Sequence, residues 1–398
     1  MRLFLLFLLF AAPALAQQTA PPATLEINGA FLARIKAHPP SAILDAVRFE
    51  ADQAMRAGPF SVMDKKDTPP SGDKHDYMSL GPYWWPNPAT KNGLPYIRHD
   101  GEVNPDRYKD SDDREFNELE GAIHALGLGY YFTGNKAYAA RGGMLLRTWF
   151  LAPATRMNPN LNFAQAVPGV NSGRGTGLID LHQMSLLLDG ITLLSGSPAL
   201  TAADKAGLRK WFTEYLHWLE TSKNGHDESN AKNNHGNWFD DQIVGIALYL
   251  GDKSLAHGIC ETAKTKRIAS EIEPDGSEPR ELVRTKSYSY SIFALDALTR
   301  LAEESRLVGV DLWSYRAPDG ASMRAALEYL LPYAVGTKKW THQALNGVDP
   351  DWLTEPLLYA AIHYRDAAYL ADAKKFERRP NAEILLLQQE AKLMLAGS

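Results

Sequence analysis

The 398-residue sequence predicts an all-α protein, an (α/α) toroid built as an incomplete barrel of antiparallel helical hairpins, with one long aromatic-rich lid loop. Three features predict it. Apolar residues recur at helical spacing through most of the chain after Asp113, the helical segments are closed by short Gly/Asn/Asp turns, and alternating strand-like stretches are nearly absent. No internal repeat is visible, which sets aside TPR and ankyrin arrays and leaves a plain helical solenoid as the alternative.

Met1-Arg2 precedes an apolar run from Leu3 to Phe10, and Ala14-Leu15-Ala16 has the small-x-small pattern of a signal peptidase site. Residues 1–16 thus read as a cleaved signal peptide with Gln17 as the mature start, and the location as periplasmic or secreted. The run is too short to span a bilayer, and no later stretch suggests a membrane span. Residues 17–24, rich in Ala and Pro, read as a flexible linker, and residues 25–398 as a single domain. Apolar spacing around Phe31 and Ile43 suggests two early helices broken at Pro39-Pro40. From Gly58 to about Asp112, repeated prolines and glycines rule out regular helix, yet the stretch carries Tyr77, Tyr83, Trp84, Trp85 and Tyr96. Long aromatic loops of this kind tend to be lids or binding loops.

Helical periodicity then dominates: Phe116 to Tyr130, Lys136 to Phe150, Leu181 to Leu194, and Leu208 to Leu219 ending near Asn224-Gly225. It continues through Trp238 to Leu250, Ala256 to Glu271, Ser287 to Glu304, Ala321 to Ala334, and further segments to Leu395.

Lys and Arg number 42 against 47 Asp and Glu, for a net charge of −5, with 45% hydrophobic residues. A mildly acidic chain without basic runs is a poor nucleic-acid binder, so an anionic ligand must be met by a local cluster of cations. Cys260 is the only cysteine, which excludes an intrachain disulfide, a Cys-based zinc site and a CxxC redox centre. His226 and His235 show neither HExxH nor two-His helical spacing, so no metal or other cofactor is expected.

Four segments stand out. Asn230 to Asp240 places Asn233, Asn234, His235 and Trp238 at the start of a helix; one Asn suffices for a cap, and the additional amides and imidazole suit a carboxylate. Pro279 to Tyr290 carries Arg280 and Arg284, which share a face if the segment is helical, and two tyrosines, Tyr288 and Tyr290. Arg284 and Tyr290 are roughly 120° out of phase on a continuous helix, so they converge only on a sugar-sized object or where the helix starts late. Pro168 to Gly177 has the glycines of a phosphate loop without its Lys-Ser/Thr, and reads as a tight turn presenting Asn171 and Arg174. Ser71 to Tyr77, with Lys74 and His75, and Pro82 to Pro86 combine flat rings with polar groups, as carbohydrate faces require.

Together these segments resemble the alginate lyase domain of periplasmic polysaccharide lyases, in the family's order, from about Phe60 to Arg300. Asn233-Asn234-His235 and the Arg284…Tyr290 pair are the specific part. The resemblance implies a toroid that cleaves uronate polymers, alginate or glucuronan, by β-elimination. It assigns Asn234 to neutralising the substrate carboxylate, and makes His235, Arg284 and Tyr290 the other catalytic groups. Lys74, His75, Tyr77, Tyr83, Trp84, Trp85, Asn171, Arg174, Asn233, Trp238, Arg280 and Tyr288 are candidate substrate contacts. The Arg-to-Tyr arrangement departs slightly from that of mannuronate lyases, which keeps Tyr288 as a rival to Tyr290, and Asp241 stands where the family more often has an apolar residue.

Elimination takes the C5 proton, alpha to the carboxylate, and expels O4. It requires the carboxylate charge to be masked, a base at C5 and an acid at O4. In β-mannuronate and β-glucuronate the proton and O4 share a face, so one tyrosine can serve both, and that tyrosine-centred scheme is the expectation here. In guluronate the two are on opposite faces, and His235 as base with Tyr290 as acid is simpler. Two other classes fit less of the pattern: a glycoside hydrolase using Asp240 and Glu281, and a glycan-binding protein that only stacks sugars on Tyr83, Trp84 and Trp85.

Overall fold

The computed structural model describes residues 20–109, 111–378 and 380–397. The expected signal peptide and the start of the linker lie outside the described residues. Two early helices, α1 (Gly29–Ile35) and α2 (Ser41–Ala54), flank Pro39-Pro40 as predicted. Then come α3 (Asp112–Thr133), α4 (Lys136–Leu146), α5 (Met184–Leu194), α6 (Ala202–Thr221), α7 (Lys223–Ser229), α8 (Asn234–Leu250) and α9 (Lys253–Ala263). After α10 (Ala269–Glu271) and α11 (Pro279–Leu282) follow α12 (Ser287–Arg306), α13 (Met323–Ala334), α14 (Thr354–Tyr364), α15 (Ala367–Phe376) and α16 (Ala382–Ala396).

Capping chemistry sets several boundaries. Thr201 and Asp204 form a reciprocal capping box at the start of α6. Gly134 and Gly251 end α3 and α8 in the left-handed conformation that a side chain would strain. Two expected boundaries move. The helix from Lys136 passes into π-helical backbone over Arg147–Leu151, and Asn224-Gly225 lies inside α7, because Ser222 caps a new helix there through the Gly225 N–H.

The helices pack as the predicted (α/α) toroid, and where an incomplete barrel was expected their contacts run all the way round. α3 packs on α5, α5 on α8, α8 on α12, α12 on α14 and α14 on α16, and α16 returns to α2, which lies on α3. Helices of this inner circuit are buried nearly all round: Gly236 to Ala247 of α8 is buried without interruption. Outer helices such as α6 and α9 bury one stripe, as an amphipathic surface helix does. α3 and α5 approach so closely that a Cβ on Gly127 would sit 2.8 Å from the Gly190 carbonyl oxygen. Phe239, Ile243 and Ile246 of α8 belong to the apolar cluster of the N-terminal half, Val244 and Ala247 to that of the C-terminal half. This central helix therefore joins the two cores.

The aromatic-rich stretch from Gly58 holds only short pieces of regular structure. β1 (Met78–Leu80) pairs in parallel with β4 (Phe163–Ala166), and β2 (Trp84–Trp85) pairs antiparallel with β3 (Ile97–Arg98). They lay the loop across one end of the ring. Among the described residues no helix is long and apolar enough to cross a membrane.

The interior of the ring is unusually acidic. Arg300 pairs with Glu26, with Glu355 at 2.8 Å and with Asp296 at 3.6 Å, and Glu383 lies beside them. One cation cannot neutralise that many buried carboxyls. Burial pushes Glu26 up to about 7, and Glu355 and Glu383 up to about 8, from an ordinary 4.5. Asp241 belongs to the same interior: it is fully buried, neither oxygen has a partner, and burial followed by the nearby Glu26 holds its carboxyl well above the usual range. Its presence in α8 reflects this acidic centre rather than the cleft.

A carboxyl that binds its proton more tightly folded than unfolded favours the fold fully below its unfolded pKa, and that contribution is lost as pH rises through the folded value. The melting temperature is therefore expected to fall by several degrees between mildly acidic and mildly alkaline solution, followed by calorimetry, with Glu383→Gln flattening the slope. Arg300→Met strands Glu26 and Glu355, costs about 3–5 kcal/mol at neutral pH, and costs less in acid, where both take up protons.

Candidate functional site

A cleft of about 540 Å³ opens where the aromatic loop crosses the ring, and it gathers residues from six stretches of the chain. Asn233, Asn234 and His235 enter from the start of α8, Arg284 from the turn before α12, and Tyr290 from its first turn. Tyr83 and Trp84 come from the loop, and Arg174 from the glycine-rich turn.

Arg284 and Tyr290 converge because the helix starts late: α11 ends at Leu282, and α12 begins only at Ser287. Arg280 and Arg284 consequently do not share a helical face, and Arg280 turns outward to the Ser270 carbonyl, 3.1 Å away. The Arg284 guanidinium lies over the Tyr290 ring, 3.9 Å from its centroid, and donates to Asp100 through Nε at 3.2 Å and Nη2 at 2.8 Å. Burial alone would raise the Asp100 carboxyl, but these donors and Thr285 hold it well below the usual range. The Tyr290 hydroxyl donates to the Tyr83 hydroxyl at 2.6 Å. Burial, then the neighbouring Tyr83, push the Tyr290 phenol far up despite Arg284, so it rests protonated.

His235 pairs through Nδ1 with Glu228, 2.6 Å away and almost wholly buried. A carboxylate there accepts a hydrogen bond from Nδ1–H and leaves Nε2 as the acceptor. Glu281 accepts from both the backbone N–H and the side-chain amide of Asn234, at 2.8 and 2.7 Å. The first N–H of α8 is thus occupied, and what Asn234 can offer a ligand is its second amide hydrogen. Gly236 completes the motif for packing reasons, since a Cβ there would lie 2.2 Å from both the Ala231 carbonyl and Arg267.

The glycines of the Pro168–Gly177 turn likewise serve close approach and not a phosphate: a Cβ on Gly173 would lie 2.0 Å from the Asn162 carbonyl, and one on Gly177 2.5 Å from that of Ala164. The turn delivers Arg174 to the cleft. Arg98, Arg107 and Arg284 pair with Asp100 or Asp113, whereas Arg174 makes no ion pair among the described residues. Its hydrogen bonds among the described residues go to Gln165, through the carbonyl at 3.0 Å and Oε1 at 2.9 Å, and its guanidinium lies over the Trp84 ring, 5.7 Å from the centroid.

Gln165 was not singled out from sequence, nor were Arg98, Arg107, Asn117, Asp180, His182 or Phe293, which also line the cleft. Gln165 has φ of +48°, a strained conformation for a non-glycine residue, and its amide binds Asp180 at 2.8 Å. Asp180 also accepts from Ser79 and from Tyr77, and burial followed by Asp113 lifts it to about 6. Nothing in the sequence pointed to Gln165, because backbone strain has no sequence signature outside glycine.

Eight of the sequence candidates lie outside the cleft lining. Lys74 donates to the Met63 carbonyl at 3.1 Å, and His75 bonds the Arg156 carbonyl at 2.6 Å, so both tie the loop down. Tyr77 is fully buried on Asp180, one layer behind the cleft. Trp85 turns its indole N–H to the Glu102 carbonyl at 3.0 Å, and Asn171 closes a turn onto Val167. Trp238 is buried behind His182 and Phe293, with ring centroids 5.0 Å from each. Tyr288 is buried against Trp340, so of the two it is Tyr290 that lines the cleft. Arg280 faces away, as above. The hydrolase pair also fails to meet there: Asp240 is clamped by Arg267 at 2.7 and 3.0 Å, and neither it nor Glu281 lines the cleft.

The Alginate lyase family model matches residues 61–340. No curated protein sequence matches the chain. The chain is similar in structure to an alginate lyase from Bacteroides ovatus, with a TM-score of 0.87 and 37% identity over 92% of this chain and 98% of that one. It is also similar to alginate lyase A1-III from Sphingomonas species A1, with a TM-score of 0.61 and 17% identity over 90% and 97% of the two chains. A histidine-to-alanine variant of A1-III complexed with a tetrasaccharide gives 0.55 and 18% over 82% and 88%; these last two likenesses bear on the fold alone. With the family model spanning most of the chain, and an alginate lyase matching it nearly end to end, the chain belongs to the alginate lyase family and is a polysaccharide lyase.

Proposed function

We propose that the chain cleaves 1,4-linked uronate polymers of the alginate or glucuronan class by β-elimination in this cleft, after export to the periplasm. The observation that carries the reading is the meeting of Asn234, His235, Arg284 and Tyr290 in one cleft beside an unpaired arginine. The C5–H bond breaks as base takes the proton, a C4–C5 double bond forms, the C4–O4 bond breaks, and O4 receives a proton. Arg174, the free hydrogen of the Asn234 amide and Arg284 mask the carboxylate as negative charge spreads onto it from C5.

The resting protonation states bear on the division of labour. His235, with Nδ1 on Glu228, presents Nε2 as base, and the protonated Tyr290 is an acid for O4. That combination serves guluronate directly. The tyrosine-centred route expected for β-mannuronate and β-glucuronate needs Tyr290 first to lose its proton, which burial opposes. Tyr83, at 2.6 Å, is the adjacent hydroxyl through which that proton can leave.

Incubation with polymannuronate, polyguluronate, glucuronan and pectate separately, followed by ultraviolet absorbance of the unsaturated uronate, tests the reading. A rise on a uronan is expected; new reducing ends without it would mean hydrolysis. Tyr290→Phe is expected to lower kcat about 10²–10⁴-fold on every uronan cleaved. His235→Ala separates the routes, with a far larger loss on polyguluronate than on polymannuronate or glucuronan. Because burial raises the Tyr290 phenol, kcat/KM on β-configured polymers, which needs the tyrosinate, is expected to climb into alkaline solution in a pH–rate profile.

A further inference from the structure

A second groove, of about 970 Å³, is larger than the catalytic cleft and shares no lining residue with it. α13 forms one wall, and the turn from Trp313 to Ser322 forms another. Its aromatic surface comes from Tyr315, Tyr329, Tyr333 and Tyr364, all only partly buried, over the nearly buried Trp313. These rings stand at different angles, Tyr329 and Tyr333 at 57° with centroids 5.8 Å apart, so they offer faces at several points along the groove and not one stacked block.

The charges around these rings do not cancel. Arg324 is satisfied by Glu328 at 2.8 Å, and Asp275 is engaged by the Ser277 N–H at 2.9 Å, which with the Ser277 hydroxyl holds its carboxyl low. Arg316 and Lys338 are exposed and make no ion pair or side-chain hydrogen bond among the described residues. In a protein of net charge −5, two unpaired cations flanking tyrosine faces form a local site for an anion that also carries flat CH-rich rings.

We infer that this groove is a second binding site for the uronate polymer, where pyranose faces lie on Tyr329 and Tyr333 and uronate carboxylates pair with Arg316 and Lys338. The ligand class rests on the uronan reading of the catalytic cleft. A polymer held at two sites on one protein rebinds the cleft at a raised effective concentration, whereas an oligosaccharide too short to reach both gains nothing.

The groove is also joined mechanically to the catalytic end of α12. Trp340 packs edge-on against Tyr333, with centroids 4.8 Å apart, and its indole N–H donates to Ser287 Oγ at 2.9 Å. Ser287 is the first residue of α12, three positions before Tyr290. The segment from Gln343 to Leu345 then bonds back to Thr285 and Ser287, beside Arg284.

The test compares wild type with the double variant Arg316→Glu/Lys338→Glu, whose side chains make no contact that folding needs. A control, Lys253→Glu/Lys374→Glu, carries the same charge change elsewhere on the surface. Retardation in native gels containing polymannuronate, polyguluronate or glucuronan is measured relative to gels without polymer. KM is measured for the polymer and for a tetrasaccharide. The groove variant is expected to bind polymer roughly fivefold more weakly, the order two exposed charge contacts supply. Its polymer KM should rise correspondingly, with kcat and the tetrasaccharide KM unchanged and the control like wild type. Undiminished retardation and an unchanged polymer KM in an enzyme that cleaves uronan overturn the groove and leave the lyase reading standing. Loss of retardation in a chain that cleaves no uronan does the reverse.

Discussion

Asp100 is the residue on which the catalytic arrangement depends. It lies in the aromatic loop, far in sequence from α12, yet its carboxylate accepts from two nitrogens of Arg284 and from the N–H and hydroxyl of Thr285, at 2.8 to 3.2 Å. The Thr285 hydroxyl also reaches the Asp100 carbonyl at 2.9 Å. This clasp fixes the loop against the start of α12 and flattens Arg284 over Tyr290. It also brings Tyr83 within hydrogen-bond distance of the phenol. Arg284 keeps Asp100 ionised far below neutrality, so the clasp persists in acid.

Around that clasp the cleft handles charge by local pairing. Three of its arginines are matched by carboxylates, while Arg174 is desolvated and held by a neutral partner. The strained backbone of Gln165 is the cost of placing that neutral partner correctly. A net acidic protein thereby concentrates its free positive charge in one small cleft.

The toroid makes such precision compatible with a crowded interior. α8 carries Asn234 and His235 at its mouth end and Asp241 in its buried middle, so one helix serves both the cleft and the acidic centre around Arg300. Protonated carboxyls in that centre cost less to bury than ionised ones. Mildly acidic to moderate pH therefore suits the scaffold, while the buried Tyr290 phenol gives up its proton only in alkaline solution.

The sequence by itself determined the helical class, the proline-broken start and the long irregular loop. It also singled out Asn234, His235, Arg284 and Tyr290, which the fold brings to one cleft, because they belong to short motifs whose composition exceeds what capping or packing requires. Helical periodicity and Gly/Asn turns are local properties, so they are readable locally. Which of Tyr288 and Tyr290 faces the cleft, which arginine makes no ion pair among the described residues, and whether Lys74, His75 and Trp238 reach the cleft were decided only by tertiary structure. Tyr288 and Tyr290 differ by two residues and part company because α12 begins at Ser287, a boundary set by contacts with Gln343 and Trp340. Gln165, Asp180 and the Asp100 clasp left no trace in the sequence, since each acts through partners far away in the chain, and only the closed ring brings those partners together.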